Sequence, residues 1–339
     1  MVWKTSLLVV ALVVDLAAPA TAAFPGQNGR IAFIEASGTG LDIFTMNPDG
    51  SDVKQLTTFG SSGGFTCCAT WSPDGRQLVF GAEPGPPFVS QLWIMNEDGS
   101  NQHELLNDPS AFDFTPSFSP DGSQIVFSRC NSNFHCAIYR VGANGFGLTA
   151  LTPYDPNPDV NDFDPAYSPD GRTIAFTSFT RGGVIAAIYL MDANGSNIRE
   201  LTPAAIEAVT PDWSSDGTKI AFWVNCCDRQ TPQIWSIHAN GTALTQLTNP
   251  QNAFDFTPAW SPQGDAITFE RDNTSFTASA IYVITANGGG QNLALESSGS
   301  KTVVLTPRDR LIAKKRAGRG LQQSILSTGF SPRWGPASQ

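Results

Sequence analysis

The chain has 339 residues, of which 10% are aromatic, with 31 glycines, 24 prolines and a formal net charge of −10 at pH 7. This abundance of turn-forming and aromatic residues, with few segments of helical periodicity, is typical of an all-β protein. The acidic balance disfavours nucleic acid or an anionic membrane as the main partner.

The first 22 residues have the layout of a secretory signal peptide. Lys4 precedes an apolar run from Leu7 to about Ala18, and residues 20–22 form an Ala-Thr-Ala cleavage site. The run is too short to predict a membrane span, and no other segment approaches 18 apolar residues. We expect cleavage after Ala22, a mature chain that is secreted or periplasmic, and no stable membrane insertion.

An internal repeat fills most of the remaining chain. A short apolar strand at 31–33 opens its first copy, and an aromatic residue with a Ser-Pro-Asp-Gly-like turn then recurs every 46–49 residues. The turns are WSPDG at 71–75, FSPDG at 118–122, YSPDG at 167–171, WSSDG at 213–217 and WSPQG at 260–264. Each is followed by an apolar strand, a second apolar strand with a Gly-containing turn, and usually a Leu-Thr pair.

Each unit therefore predicts four short antiparallel strands, apolar on both faces, which is the description of a propeller blade. A β-sandwich is the alternative, but strict repetition at this period disfavours it. The first copy lacks its own aromatic strand, and residues 332–336 near the C-terminus align with 258–262. We predict an all-β, six-bladed propeller of residues 23–339, closed by a C-terminal strand that completes the first blade.

The sixth repeat departs from the pattern over about residues 289–329. Its two aromatic strands are 74 residues apart, from Trp260 to Trp334. Residues 297–339 carry a net charge of +7, which leaves −17 on the rest of the chain. We interpret this insertion as a long loop or a short helix, with Leu305-Thr306 as a candidate for a displaced fourth strand.

Six cysteines in an exported chain predict disulfides. Cys130 and Cys136 flank a five-residue segment between two predicted strands and can staple a hairpin. The adjacent pairs Cys67-Cys68 and Cys226-Cys227 can each form a vicinal disulfide or reach another loop, and the sequence leaves both alternatives open. Antiparallel order places all six in loops on one face of the propeller, where binding usually occurs.

A carboxylate recurs five residues before the repeat aromatic, in the predicted loops that enter the innermost strands. These residues are Asp113, Asp162 (with Asp164) and Asp255. One interpretation is an acidic channel mouth that binds Ca²⁺ or basic groups. The other is that each carboxylate caps backbone N–H groups where the chain enters the strand.

No catalytic set is evident. A Gly-x-Ser-x-Gly spelling at 60–64 has no strand-to-helix elbow around it, and the three histidines have no metal-binding spacing. Beyond the calcium alternative at Asp113, Asp162 and Asp255, we predict no cofactor.

The repeat elements resemble the WD40-like, or PD40, repeats of TolB-type β-propellers, in the order Pro-x-Trp-Ser-Pro-Asp-Gly, Ile-Ala-Phe, Ile-Tyr-x-Met-Asn-x-Asp-Gly and Leu-Thr. The resemblance implies a six-bladed propeller of the cell envelope. It does not imply TolB itself, whose additional α/β domain has no counterpart before the first blade here. We expect a monomeric, non-catalytic propeller that binds a protein, peptide or glycan on its loop-rich face. The alternative is a carbohydrate-active enzyme, a lyase or hydrolase, acting at the acidic channel mouth.

Overall fold

The computed structural model describes residues 25–85, 89–154, 160–183, 186–203, 205–224, 231–275, 278–296 and 332–337. The predicted signal peptide, most of the insertion and the pair Cys226-Cys227 lie outside the described residues.

The described chain is built of β-strands, with two short 3-10 turns at Phe59–Ser62 and Arg181–Gly183. Its strands form six antiparallel blades, as predicted, and one parallel bridge between Leu41 and Phe65 joins the first two blades into a single sheet. In the order inner to outer, blade 1 is β24 (Arg333–Pro336), β1 (Asn28–Ser37), β2 (Gly40–Met46) and β3 (Lys54–Gln55), and blade 2 is β4 (Phe65–Trp71), β5 (Gln77–Glu83), β6 (Gln91–Asn96) and β7 (His103–Glu104). Blade 3 is β8 (Ala111–Phe118), β9 (Gln124–Asn131), β10 (Cys136–Gly142) and β11 (Thr149–Ala150), and blade 4 is β12 (Asn161–Tyr167), β13 (Thr173–Phe179), β14 (Ala186–Asp192) and β15 (Arg199–Glu200). Blade 5 is β16 (Ala208–Trp213), β17 (Lys219–Val224), β18 (Gln233–His238) and β19 (Thr245–Gln246), and blade 6 is β20 (Ala253–Trp260), β21 (Ala266–Asn273), β22 (Ser279–Thr285) and β23 (Asn292–Glu296).

The C-terminal strand closes the ring, which confirms the prediction. In β24, Trp334 lies opposite Ile31 and Arg333 opposite Ala32 of β1. The inner strands contact one another in the closed order β4, β8, β12, β16, β20, β24 and back to β4. They therefore form the wall of a central channel. Trp334 is buried in a cluster that joins Ile31 of blade 1 to Ile281 of blade 6.

The hydrophobic core lies between blades and not within any one of them. One cluster, for example, joins Val79 and Leu92 of blade 2 to Phe118, Phe127 and Val141 of blade 3. The second strand of every blade contributes a fully buried phenylalanine to this core: Phe33, Phe80, Phe127, Phe176, Phe222 and Phe269. A blade cannot bury both apolar faces alone, and this explains why the sequence repeats.

Hydrogen bonds explain the recurring Ser-Pro-Asp-Gly turn. In blade 2, the Ser72 hydroxyl donates to Asp74 at 2.6 Å and accepts the N–H of Gln77 at 2.9 Å. The turn of blade 6 has Gln263 in place of the aspartate. There the Ser261 hydroxyl donates to Asp265, two residues later, at 2.7 Å, so the bond is kept by a different carboxylate.

The fourth strands lie just before the Leu-Thr pairs, and not on them as the sequence suggested. The threonine has another task, because its hydroxyl accepts a backbone N–H of the third strand. Thr152 accepts from Ile138 at 2.8 Å, and Thr57, Thr202 and Thr248 do the same in their blades. In blade 6 the fourth strand is β23, which pairs with β22. The pair Leu305-Thr306, which the sequence suggested for this strand, lies outside the described residues.

Candidate functional site

The two ends of the propeller differ in construction. The tight turns that follow the first and third strands of each blade lie at one end, which we call the turn end. The connections that follow the second and fourth strands lie at the other, the loop end. Each inner strand runs from the loop end to the turn end, so residues early in these strands lie near the loop-end mouth of the channel.

The recurring aspartates lie inside the inner strands and not in the loops that precede them. Asp113 is the third residue of β8, Asp162 the second of β12 and Asp255 the third of β20. All three are buried. The inner strands begin earlier than the sequence suggested. They extend far enough for residues well before the aromatic to pair with the second strand.

Two of these carboxylates form two-pronged ion pairs with an arginine of the second strand. Arg129 donates from Nε and Nη2 to Asp113, both at 2.7 Å, and Arg271 donates to Asp255 at 2.6 and 2.8 Å. Each guanidinium also lies over aromatic rings. Arg271 is 5.3 Å from the ring centre of Phe269, which adds a cation–π attraction.

Burial alone would lower the pKa of the Arg271 guanidinium, but the hydrogen bonds and charge of Asp255 raise it above its usual value. The same balance raises the pKa of Arg129 beside Asp113. Both arginines are therefore held in the charged form, and each carboxylate already has a cation as its partner.

Asp162 has a related but looser partner set. It accepts from the Ser178 hydroxyl at 2.6 Å and from Arg181 at 2.7 Å. Asp164 also lies in β12, is buried, and accepts from the Thr177 hydroxyl at 3.3 Å. The partners that the structure shows for Asp162 are side chains.

Among the described residues, no three histidine, cysteine or acidic side chains are grouped so as to hold a metal ion. The three aspartates lie in three different blades, and each has its own arginine. A calcium site at these residues stays a prediction from the sequence.

The cysteine-flanked hairpin of blade 3 is closed as predicted by a Cys130–Cys136 disulfide. It presents Phe134, which stacks on Phe112 with ring centres 5.0 Å apart. Cys67 and Cys68 are half-buried in the inner strand β4, and not in a loop as expected. Cys67 packs beside the same aromatic cluster that holds the disulfide.

Phenylalanines at the loop-end mouth of the channel form a feature that the sequence motifs did not predict. Phe65, Phe112 and Phe254 each lie six residues before the repeat aromatic, at the start of an inner strand. All three are half-buried. Their constant offset from the aromatic is a signal of this feature that the sequence carries.

Each inner strand from β4 to β20 contains a β-bulge, in which two residues of the inner strand lie opposite one residue of the second strand. Its first residue has a positive φ in every case without being glycine: Cys68, Thr115, Asp164, Thr210 and Thr257. Left-handed backbone is costly for β-branched residues, so the surrounding hydrogen bonds must hold it. In blade 5, for example, the N–H of Thr210 donates to Thr177 of blade 4 at 2.9 Å.

The three histidines lie in different blades. His103 is in β7, His238 ends β18 and His135 is in the disulfide-closed hairpin. The fold does not bring them together.

A family description matches the chain over residues 104–230 and 164–332: the TolB β-propeller domain, PD40. The two matches overlap and together span more than half of the sequence. The chain belongs to the TolB β-propeller family.

One relative in sequence and several solved structures are also similar to this chain. The chain is 28% identical over 204 residues to an uncharacterized protein, Atu1656, from Agrobacterium fabrum, covering 59% of this chain and 63% of that relative. The match therefore spans less than two thirds of the relative's length. Among solved structures, TolB from Acinetobacter baumannii superposes with a TM-score of 0.70 at 19% identity, over 91% of this chain and 67% of that one. The putative TolB from Agrobacterium tumefaciens gives 0.65 at 20% identity, over 92% and 100%.

A more distant likeness is to an oligogalacturonate lyase from Vibrio parahaemolyticus, with a TM-score of 0.55 at 13% identity over 84% of this chain and 80% of that one. At such identities, likeness shows a shared fold and nothing about a shared reaction. In the described part of the chain, no helix has the length and apolar character needed to cross a membrane.

Proposed function

We propose that the protein is a non-catalytic propeller of the cell envelope that binds a protein, peptide or glycan partner at its loop end. The observation that carries the proposal is the set of half-buried phenylalanines at the channel mouth, Phe65, Phe112 and Phe254. Partly exposed aromatic side chains on a rigid base are typical of binding surfaces, because they add contact area at little entropic cost.

The base under these rings is rigid. Next to Phe112 and Phe254 in sequence are Asp113 and Asp255, which are fixed by their arginines. The Cys130–Cys136 disulfide holds the hairpin that stacks Phe134 on Phe112. Pre-organised aromatic groups of this kind lose little freedom when a partner binds.

Placement in the envelope is supported by the signal-peptide layout of residues 1–22, by family membership and by the disulfide, which persists in oxidising compartments. The alternative function, a carbohydrate-active enzyme, has the shared fold of the oligogalacturonate lyase in its favour.

The test is selection of ligands on residues 23–339 from a peptide library and a glycan array, followed by affinity measurement with Phe112→Ala. Phe146→Ala is the matched control, since Phe146 is 77% exposed in a turn at the opposite end. We expect Phe112→Ala to weaken the selected ligand about tenfold or more, as for an interface hot spot, and Phe146→Ala to leave it unchanged. Equal loss in both variants, or steady turnover of a glycan, would contradict the proposal.

A further inference from the structure

The residue just before the repeat aromatic forms a ring around the channel near the turn end. Its members, in order around the wall, are Arg333, Thr70, Ser117, Ala166, Asp212 and Ala259. Four of the six are small and uncharged. The ring therefore has one guanidinium and one carboxyl group, placed on either side of Ala259.

The Arg333 guanidinium makes fewer and longer polar contacts than the guanidinium groups of the arginines at the loop end. Its Nη1 lies 3.6 Å from Asp212 Oδ1 and 3.4 Å from the carbonyl of Pro258. Within the described residues, Nε and Nη2 have no hydrogen-bond partner. Arg129 and Arg271, by contrast, each make two bonds of 2.6–2.8 Å to one carboxylate.

The guanidinium is also accessible. The Arg333 side chain is 25% exposed and that of Asp212 is 21% exposed. Both belong to the inner wall of a closed ring of strands, so this exposure opens into the channel. An arginine with free, accessible donors in a concave site is well suited to a planar anion, which it can hold with two parallel bonds.

Two hydroxyl groups continue the ring from Arg333 through the next two blades. Thr70 and Ser117 are half-buried, and their hydroxyls have no partner among the residues that the structure describes. Each can donate one hydrogen bond. The channel wall thus presents one guanidinium group and two hydroxyl donors over three consecutive blades.

We propose that the turn end of the channel binds a carboxylate group, held by the Arg333 guanidinium with the Thr70 and Ser117 hydroxyls as further donors. A planar monoanion matches the fork of the guanidinium. A dianion such as phosphate suits the ring less well because Asp212 is on the opposite side. The carboxylate can come from the free C-terminus of a peptide or from an acidic sugar.

Asp212 limits the affinity. One of its oxygens accepts the N–H of Trp260 at 2.7 Å. Burial raises the pKa of this carboxyl to about 6, although the charge of Arg333 opposes the shift. Its neighbours at the same level, Ala166 and Ala259, carry no charge, and Arg333 is the charged group that faces it. Protonation of Asp212 therefore removes the negative charge nearest the site, and binding should tighten as the pH falls from 7.5 to 5.5.

The experiment uses residues 23–339 and two probe pairs. One pair is an N-acetylated tripeptide with a free C-terminal carboxylate and its C-terminal amide, and the other is D-galacturonate and its methyl ester. Binding is followed by calorimetry and by the NMR signal of the Arg333 side-chain N–H. We expect at least one acid to bind and shift that signal, with its neutral counterpart about tenfold weaker or more. Which acid binds identifies the source of the carboxylate.

Three variants make the test specific. Arg333→Gln should reduce acid binding about tenfold or more, whereas Arg199→Gln, an exposed arginine of the outer strand β15, should not. Because Arg333 is in the closing strand, the double variant Thr70→Val/Ser117→Ala is a second test that leaves that strand unchanged, and it should also weaken binding. Asp212→Asn should strengthen binding at pH 7.5.

The proposal is overturned if neither acid binds at millimolar concentration, if acids and neutral counterparts bind alike, or if Arg333→Gln and Arg199→Gln are equivalent. The outcome is independent of the function proposed for the loop end. Phe112→Ala should leave carboxylate binding unchanged, so failure of one proposal is distinguishable from failure of the other.

Discussion

The buried Asp113–Arg129 pair gives the sharpest prediction for stability. Arg129 is only 6% exposed and Asp113 is fully buried. In Asp113→Ala, the guanidinium keeps only the contact from Nη1 to Asp108, at 3.3 Å, as an ion pair. Removing one partner of a buried pair strands the other charge, so we expect a loss of about 4–5 kcal/mol, the upper part of the usual range.

The cost should follow the exposure of the arginine left behind, because an exposed guanidinium recovers its charge solvation in water. Side-chain exposure rises from 6% for Arg129 to 18% for Arg271 and 23% for Arg181. The order of destabilisation should therefore be Asp113→Ala, then Asp255→Ala, then Asp162→Ala. Urea unfolding followed by tryptophan fluorescence measures all three as shifts in the midpoint.

The chain provides its own control for this series. In blade 5 the equivalent cross-strand pair is Ala208 opposite Val224, so Asp113→Ala/Arg129→Val copies a pair that the fold already accepts. We expect the double variant to lose about 2–3 kcal/mol, well below the summed losses of the single variants, because no charge remains buried alone. The reasoning is refuted if the single losses add, or if Asp113→Ala costs under about 1 kcal/mol.

Three further predictions use matched positions. Thr177→Val should lower the free energy of unfolding by about 2 kcal/mol, because it leaves a buried N–H of the next blade unpaired. Thr268→Val should be neutral or stabilising, because the buried Thr268 hydroxyl has no partner in the described chain. Urea midpoints compare the two variants. Replacing Cys130 and Cys136 by alanine should lower the free energy of unfolding by about 2 kcal/mol because the closed loop is short. The measurement compares urea unfolding of the variant and of wild type, each with and without reductant. The pKa of Asp212, raised to about 6, means that the proton favours the folded state. The stability it adds is complete below about pH 3.8 and is lost as the pH rises through 6, so Asp212→Asn should gain about 3 kcal/mol over wild type at pH 7 and nothing at pH 3.8; unfolding at both values tests it.

The fold could be predicted from the sequence because it depends on features that repeat. The aromatic turn and the apolar second strand recur at a nearly constant period, and residues 332–336 align with the inner strand of the sixth repeat. The propeller and the ring closure that these features predict are confirmed. The roles of the Leu-Thr pairs and the limits of the fourth strands were wrong, because outer strands of two residues carry little periodic signal.

The pairing of the recurring aspartates could not be predicted from spacing alone, for a geometric reason. Counting back from the pair of Phe118 and Ile125 without a bulge would place Asp113 opposite Cys130. The bulge at Thr115 shifts the register by one residue and places Asp113 opposite Arg129. The residue at the bulge is threonine and not glycine, so nothing in the sequence announces it.

A signal for the pairs does exist across repeats. Where the inner strand has Asp113 or Asp255, the residue sixteen positions later is arginine. Where it has alanine at 208, the residue sixteen positions later is valine. In these three blades charge appears on both strands or on neither, as expected if an unpaired buried charge is too costly to keep. In blade 4, Asp162 lies opposite Ser178 and is paired instead by Arg181, nineteen positions later.

The same rule singles out Arg333. At the loop end, Arg129 and Arg271 are each matched by a buried carboxylate at hydrogen-bond distance. Arg333 faces Asp212 at 3.6 Å, beyond that distance, and on the strand that closes the ring. A ligand carboxylate bound there would join β24 to Thr70 of the next blade, so ligand binding and ring closure would stabilise each other. An incompletely paired charge is least costly where a ligand can complete the pair, and the wall of an open channel is such a place.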